Sequence, residues 1–123
     1  MRSSILASIL AITALSLTPI SAFAAAECRV TGSPSVFGVN MTGYFAVASG
    51  ETCLFPIRIP GMMTSSGIAQ KPAHGTVRKL NVTTFTYTAA RGYSGSDTFA
   101  IYGTGQGPYG SGKSIMTLSV TIQ

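Results

Sequence analysis

Residues 72–102 read PAHGTVRKLNVTTFTYTAARGYSGSDTFAIY. Two alternating runs, 76–80 and 83–88, flank Asn81, and Phe85 and Tyr87 fall on one face of the second run. A period of two is the period of a strand, whose successive side chains point to opposite sides. The stretch therefore predicts a hairpin turning around Asn81. Residues 91–96 are dominated by Gly and Ser and predict a turn-rich crossing. A further strand, 98–102, places Phe99 and Ile101 on alternate positions. Moving outward, Met116, Leu118, Val120 and Ile122 share one face of 114–122, with Ile115 on the other. Upstream, 42–48 and 52–59 alternate in the same way, the latter with Cys53, Phe55, Ile57 and Ile59 together. Pro56 lacks a backbone donor, so 52–59 reads as an edge strand or a bulged one. Short strands are also expected at 28–31 and 68–71. Residues 60–67, containing Met62 and Met63, and the glycine-rich 103–112 read as loops. No helical period occurs after residue 26.

Regularly spaced short strands separated by turn residues predict an all-β, antiparallel sandwich of about seven strands. Residues 27–123 have the size of one immunoglobulin-like unit. Residues 1–26 read differently. Arg2 supplies a positive start, 5–17 is apolar, Pro19 ends any helix, and Ala22 to Ala26 brings small residues. That is the layout of a secretory signal peptide, with cleavage expected after Ala26 or Ala24. The apolar run is shorter than the ~20 residues of a membrane span, so a transmembrane anchor is not expected. Glu27 immediately before Cys28 argues against a lipidated cysteine. The expected destination is the periplasm or the medium.

Export shapes the reading of the two cysteines. Cys28 and Cys53 are the whole complement, and an oxidising compartment predicts one disulfide between them. Closing a loop of this length contributes about 3.5 kcal/mol in the chain-entropy account. Charge is sparse, 9% of residues against about 25% in ordinary soluble proteins. The acids are Glu27, Glu51 and Asp97 alone. Arg29, Arg58, Lys71, Arg78, Lys79, Arg91 and Lys113 are scattered. Nucleic-acid recognition needs clustered basic residues with interleaved aromatics, so no nucleic-acid partner is expected.

The motif set within 72–102 resembles the bacterial immunoglobulin-like and cadherin-like repeats of surface and secreted proteins. Their pattern is P-x-H-G-T-V, then F-x-Y-x-P, then G-Y-x-G-x-D-x-F. The resemblance covers residues 71–102 well, the final strand fits the expected end of the repeat, and residues 27–67 match only in general character. It implies an immunoglobulin-like sandwich and a role in adhesion. Three departures stand out: a single unit, Ala90 in place of proline, and few acids where related repeats bind calcium with carboxylates. Calcium takes six to eight oxygens, and Asp97 is the one acid in the matched region. Asp97 is therefore expected to bond nearby backbone amides, with no metal and no other cofactor.

Several motifs compete with this reading. Residues 107–114, GPYGSGKS, satisfy the P-loop spacing, but a strand pattern follows where a phosphate cradle needs a helix. Residues 105–110 satisfy G-x-G-x-x-G without the βαβ unit that motif requires. No nucleotide is expected. A hydrolase would use His74 and Asp97 with a serine, but no G-x-S-x-G elbow exists, so no catalytic residue is assigned and the chain is not read as an enzyme. Asn40-Met41-Thr42 and Asn81-Val82-Thr83 match the glycosylation sequon and are read as chance in a bacterial protein. The expected function is a non-catalytic interaction module of adhesion type. Its contacts are expected at the loops of one end, through Tyr109, Met62 and Met63, with an unknown protein or glycan of the cell envelope. A glycan-binding module using Tyr44, Tyr93 and Tyr109 is the alternative.

Overall fold

The computed structural model describes residues 25–33 and 35–123. The signal-peptide reading, with cleavage after Ala24 or Ala26, falls on residues 1–24 and so lies largely outside the described residues. Eight strands follow in order: β1 (Thr31–Gly32), β2 (Met41–Val47), β3 (Thr52–Pro56), β4 (Met62–Gln70), β5 (Gly75–Asn81), β6 (Thr84–Ala89), β7 (Gly95–Gly107) and β8 (Gly110–Ile122). They form a five-stranded sheet, β1-β2-β8-β7-β4, and a three-stranded sheet, β3-β6-β5. Every pairing is antiparallel except β2 with β8, which is parallel. After β2 the chain crosses to the other sheet, so β2 meets β8 without a hairpin to reverse it. β3, β6 and β5 stand where strands B, E and D stand in an immunoglobulin-like sandwich, and β4, β7 and β8 stand as C, F and G.

The alternation read from the sequence is the alternation of burial. In β8, Met116, Leu118, Val120 and Ile122 are buried, and in β2 Met41, Phe45 and Val47 are. Phe45 and Phe99 from one sheet meet Phe55 and Tyr87 from the other. Tyr87 stacks on Phe99 at 5.2 Å between centroids, and Phe45 meets Tyr87 edge-on at 5.6 Å. Edge and stacked aromatic pairs of this kind add about 0.5–1.5 kcal/mol beyond the area they bury. These four rings form the centre of the core between the sheets.

Three expectations are corrected. Residues 28–31 do not open with a full strand: β1 is two residues long. The preceding segment instead bridges Leu54 of β3 at Glu27. The Cys28 N–H donates to the Leu54 carbonyl at 2.7 Å, and the Leu54 N–H to the Ala26 carbonyl at 2.8 Å. Residues 60–67 are mostly strand β4 and not a loop. Residues 103–112 are the paired ends of β7 and β8, turning at Pro108-Tyr109.

The reading of 103–112 fails for a local reason. Along β7 the inward positions after Ile101 are Gly103 and Gly105, so the pattern shows no apolar residue to count. Their space is filled from elsewhere. A Cβ at Gly103 would lie 2.9 Å from the Met63 methyl, and one at Gly105 2.6 Å from the Phe37 ring and 2.2 Å from the Met62 carbonyl oxygen. The glycines permit close approach of β4 and of the Phe37 segment.

Pro56 sits as expected, on the edge strand of its sheet, and β3 ends there. Ile57 and Ile59 stay buried beyond it. The hairpin around Asn81 is also present. The Asn81 Oδ1 accepts from the Thr83 N–H at 3.0 Å, which closes the turn between β5 and β6.

Candidate functional site

Cys28 and Cys53 are disulfide-bonded, with 5.0 Å between their Cα atoms. Both are buried. The bond holds the segment before β1 against β3, alongside the backbone bridge at Leu54. It is a staple between the segment before β1 and the three-stranded sheet.

Asp97 is the one buried acid, 4% exposed, at the start of β7. Its carboxylate is surrounded by donors. The N–H groups of Ala73 (3.0 Å) and Thr98 (2.9 Å) donate to Oδ1. The His74 N–H (3.2 Å) and the Tyr87 hydroxyl (2.7 Å) donate to Oδ2. The carboxylate therefore ties the turn before β5 to β6 and β7. Buried ions persist only when paired or hydrogen-bonded in this way. Burial, the hydrogen bond to Asp97 and the nearby Asp97 charge all push the Tyr87 hydroxyl well above the ordinary tyrosine value. Its proton stays on as the donor.

His74 offers Asp97 its backbone and not its ring. The imidazole stacks on Tyr93 with 3.7 Å between centroids and planes 3° apart. The Tyr93 hydroxyl donates to the Ser96 carbonyl at 2.9 Å. A hydrolytic triad needs an imidazole N–H bonded to the carboxylate, and this arrangement provides a different one. Stacking also covers one face of the Tyr93 ring.

The GPYGSGKS stretch spans the β7–β8 turn and the start of β8. The Lys113 ammonium lies 4.7 Å from the centre of the Tyr102 ring. Ser114 is fully buried, donating to the Val36 carbonyl at 2.9 Å and accepting from the Gly38 N–H at 3.0 Å. The backbone here is a strand, whose amides alternate in direction and do not converge on a phosphate. Asn40, the other sequon asparagine, accepts from the Ile115 N–H at 3.0 Å.

The three expected contact residues separate. Tyr109 is 75% and Met62 73% exposed. Met63 turns inward beside Gly103 and packs on the core. Met62 pairs with Gln106, close to the Gly107–Gly110 pair that flanks Tyr109. Both exposed side chains therefore stand at one end of the sandwich, at the tip of the long hairpin.

No family profile, curated protein or solved structure matches this chain.

A cleft of about 370 Å³ opens beside the disulfide, between β3 and the β1–β2 edge. Its floor is Met41, Phe55, Ile57, Met116 and Leu118, and Arg29 and Arg58 stand at its rim. Arg58 is ion-paired with Glu27. Both side chains are solvent-exposed, so the pair contributes little to stability. Among the described residues no group of three or more His, Cys, Asp or Glu is arranged to hold a metal, and no helix is long and apolar enough to cross a membrane.

Sequence reasoning missed the pairing of Tyr87 with Asp97. Both residues stood in the quoted stretch, but alternation placed Tyr87 in the core without naming a partner for its hydroxyl. A buried tyrosine needs such a partner. Asp97 was the one acid near enough in the chain to supply it, and that was the available signal.

Proposed function

We propose that this chain is a non-catalytic interaction module of adhesion type, exported to the periplasm or the medium of a bacterial cell. The observation that carries this reading is the pair Tyr109, at the β7–β8 turn, and Met62, at the adjoining start of β4, each about three-quarters exposed at one end of the sandwich. Exposed aromatic and methionine side chains on rigid supports are the usual anchors of protein contacts. The resemblance of residues 71–102 to bacterial immunoglobulin-like and cadherin-like repeats supports the same class of role. The disulfide agrees with an oxidising compartment. The titratable groups that a hydrolase would use are engaged otherwise: Asp97 by four donors, His74 by Tyr93.

The test is retention of the labelled protein on envelope fractions of the producing cells. Wild type is expected to be retained, and the double variant Tyr109→Ala, Met62→Ser is expected to wash off while keeping its thermal midpoint. Equal retention of the variant would remove the hairpin tip from the account. N-terminal sequencing of the exported protein is expected to begin at Glu27 or Ala25. A start at Met1 would remove the export reading.

A further inference from the structure

The outer face of the five-stranded sheet has a composition that neither the core nor the hairpin tip accounts for. Register places Tyr44 beside Ser119 and Thr98, and Thr42 beside Thr117, in neighbouring rows. Farther along, Ile115 and Tyr102 pair, then Lys113 and Thr104. Thr42, Thr117 and Ser119 thus lie between two tyrosines, with Ala100 and Ile115 beside them. Tyr44 is 57% exposed. Tyr102 lies across Gly67 of β4, where a Cβ would come within 2.6 Å of the ring. The ring is therefore laid down on the sheet, as aromatics are when they cover a strand glycine. The Lys113 ammonium sits over that ring.

This face carries a single charge, the Lys113 ammonium. The chain's three acids are Glu27, Glu51 and Asp97. Glu27 pairs with Arg58 and Asp97 is buried. Glu51 lies in the turn between β2 and β3. None is on the outer face of β2, β8, β7 or β4. Lys113 is its cation.

We infer that this face is a binding site for a linear glycan bearing carboxylates, a uronate chain, lying along β8 between Tyr44 and Lys113. Each feature matches one demand of such a ligand. A sugar ring presents an apolar face that stacks on an exposed aromatic, and its hydroxyls exchange hydrogen bonds with Thr42, Thr117 and Ser119. A carboxylate meets the ammonium of Lys113, held in place by Tyr102. Lys113 and Ser119, the partner of Tyr44, are six positions apart along β8, so the two anchors stand about 20 Å apart at ~3.4 Å per residue. A short oligosaccharide spans that distance. An acidic peptide fits less well, because hydroxyl rows offer no pockets for alternating side chains.

The site is separate from the hairpin tip, and the experiment keeps the two distinguishable. Titration calorimetry would use hexasaccharides of mannuronate, guluronate, galacturonate and alternating glucuronate–N-acetylglucosamine, with cellohexaose and xylohexaose as neutral probes. At least one uronate series is expected to bind saturably, more weakly as salt rises. Tyr44→Ala and Lys113→Gln are each expected to weaken it at least about tenfold, whereas Lys113→Arg and Tyr109→Ala leave it within about twofold. Both substituted side chains are on the surface, and thermal midpoints verify folding. Failure of every uronate to bind would overturn the proposal. So would equal binding of the neutral hexasaccharides, or uronate binding that survives Tyr44→Ala.

Discussion

Asp97 shows what a single side chain does in a domain with so few charges. Four donors converge on it from the turn before β5, from β6 and from β7. Replacing it with alanine strands the buried Tyr87 hydroxyl and takes the acceptor from the partly buried amides of Ala73 and His74. Each orphaned group costs about 1–3 kcal/mol, so Asp97→Ala is expected to destabilise by about 3–5 kcal/mol, measured by urea unfolding. A loss below about 1 kcal/mol, the size of an ordinary surface change, would mean that water substitutes for the carboxylate. Tyr87 adds a pH dependence. Its folded pKa is raised, chiefly by burial and then by the Asp97 hydrogen bond. The folded state then holds the proton to higher pH than the unfolded chain, in which tyrosine titrates near about 10. The stabilisation is complete below about pH 10 and falls as pH rises above it. Unfolding midpoints compared between pH 9 and 11.5 are expected to drop more steeply for wild type than for Tyr87→Phe. Cys28 and Cys53 set a third expectation. Mass spectrometry without reductant should show the loss of two hydrogens, and replacing both with alanine should cost about 2–5 kcal/mol.

Among the elements, the β7–β8 hairpin decides most about the molecule. Its strands are 13 residues each. It forms the middle of the larger sheet and carries Tyr109 at its turn. Its distal half reads as a loop because glycine recurs through 103–112 and occupies the inward positions 103 and 105. In the fold those glycines are contact points. A methyl at Gly105 would strike the Met62 carbonyl oxygen and the Phe37 ring. Gly105→Ala is therefore expected to cost about 1–3 kcal/mol, the range for overpacking. An unchanged urea midpoint would show that β4 is not held against β7 at that point. Lys113 makes only a surface contact with Tyr102, worth about 0.5–1 kcal/mol at an exposed site. Lys113→Ala should lower stability by no more than that. Calorimetric titration of the wild type with ATP and magnesium should give no saturable heat. Micromolar binding that disappears in Lys113→Ala would contradict the strand geometry of the whole segment.

At the scale of the whole molecule, two sheets close on four aromatic rings, one disulfide joins the start of the described chain to the smaller sheet, and charge plays little part. Thermal unfolding in millimolar calcium and in chelator is expected to give one midpoint, since Asp97 spends both oxygens on internal donors. A clear rise with calcium would reveal a site built from backbone and amide oxygens. The all-β class, the sandwich, the Asn81 hairpin and the inward faces of β3, β6 and β8 were legible in the sequence. The reason is that alternation is local: residues i and i+2 share a face whatever lies across from them. The cysteine pairing was legible because two cysteines leave one choice. Tertiary structure alone decided the parallel contact of β2 with β8, the two-residue length of β1 and the strand character of 62–67 and 103–107. It alone gave Tyr87 and Asp97 to each other and divided Met62 from Met63. Each of these depends on a group distant in sequence: Phe37 and Met63 filling space that glycine leaves, or a turn amide reaching a carboxylate some two dozen residues away. A chain's own periodicity records which face a residue shows, but the identity of what meets that face is settled only when the sheets pack.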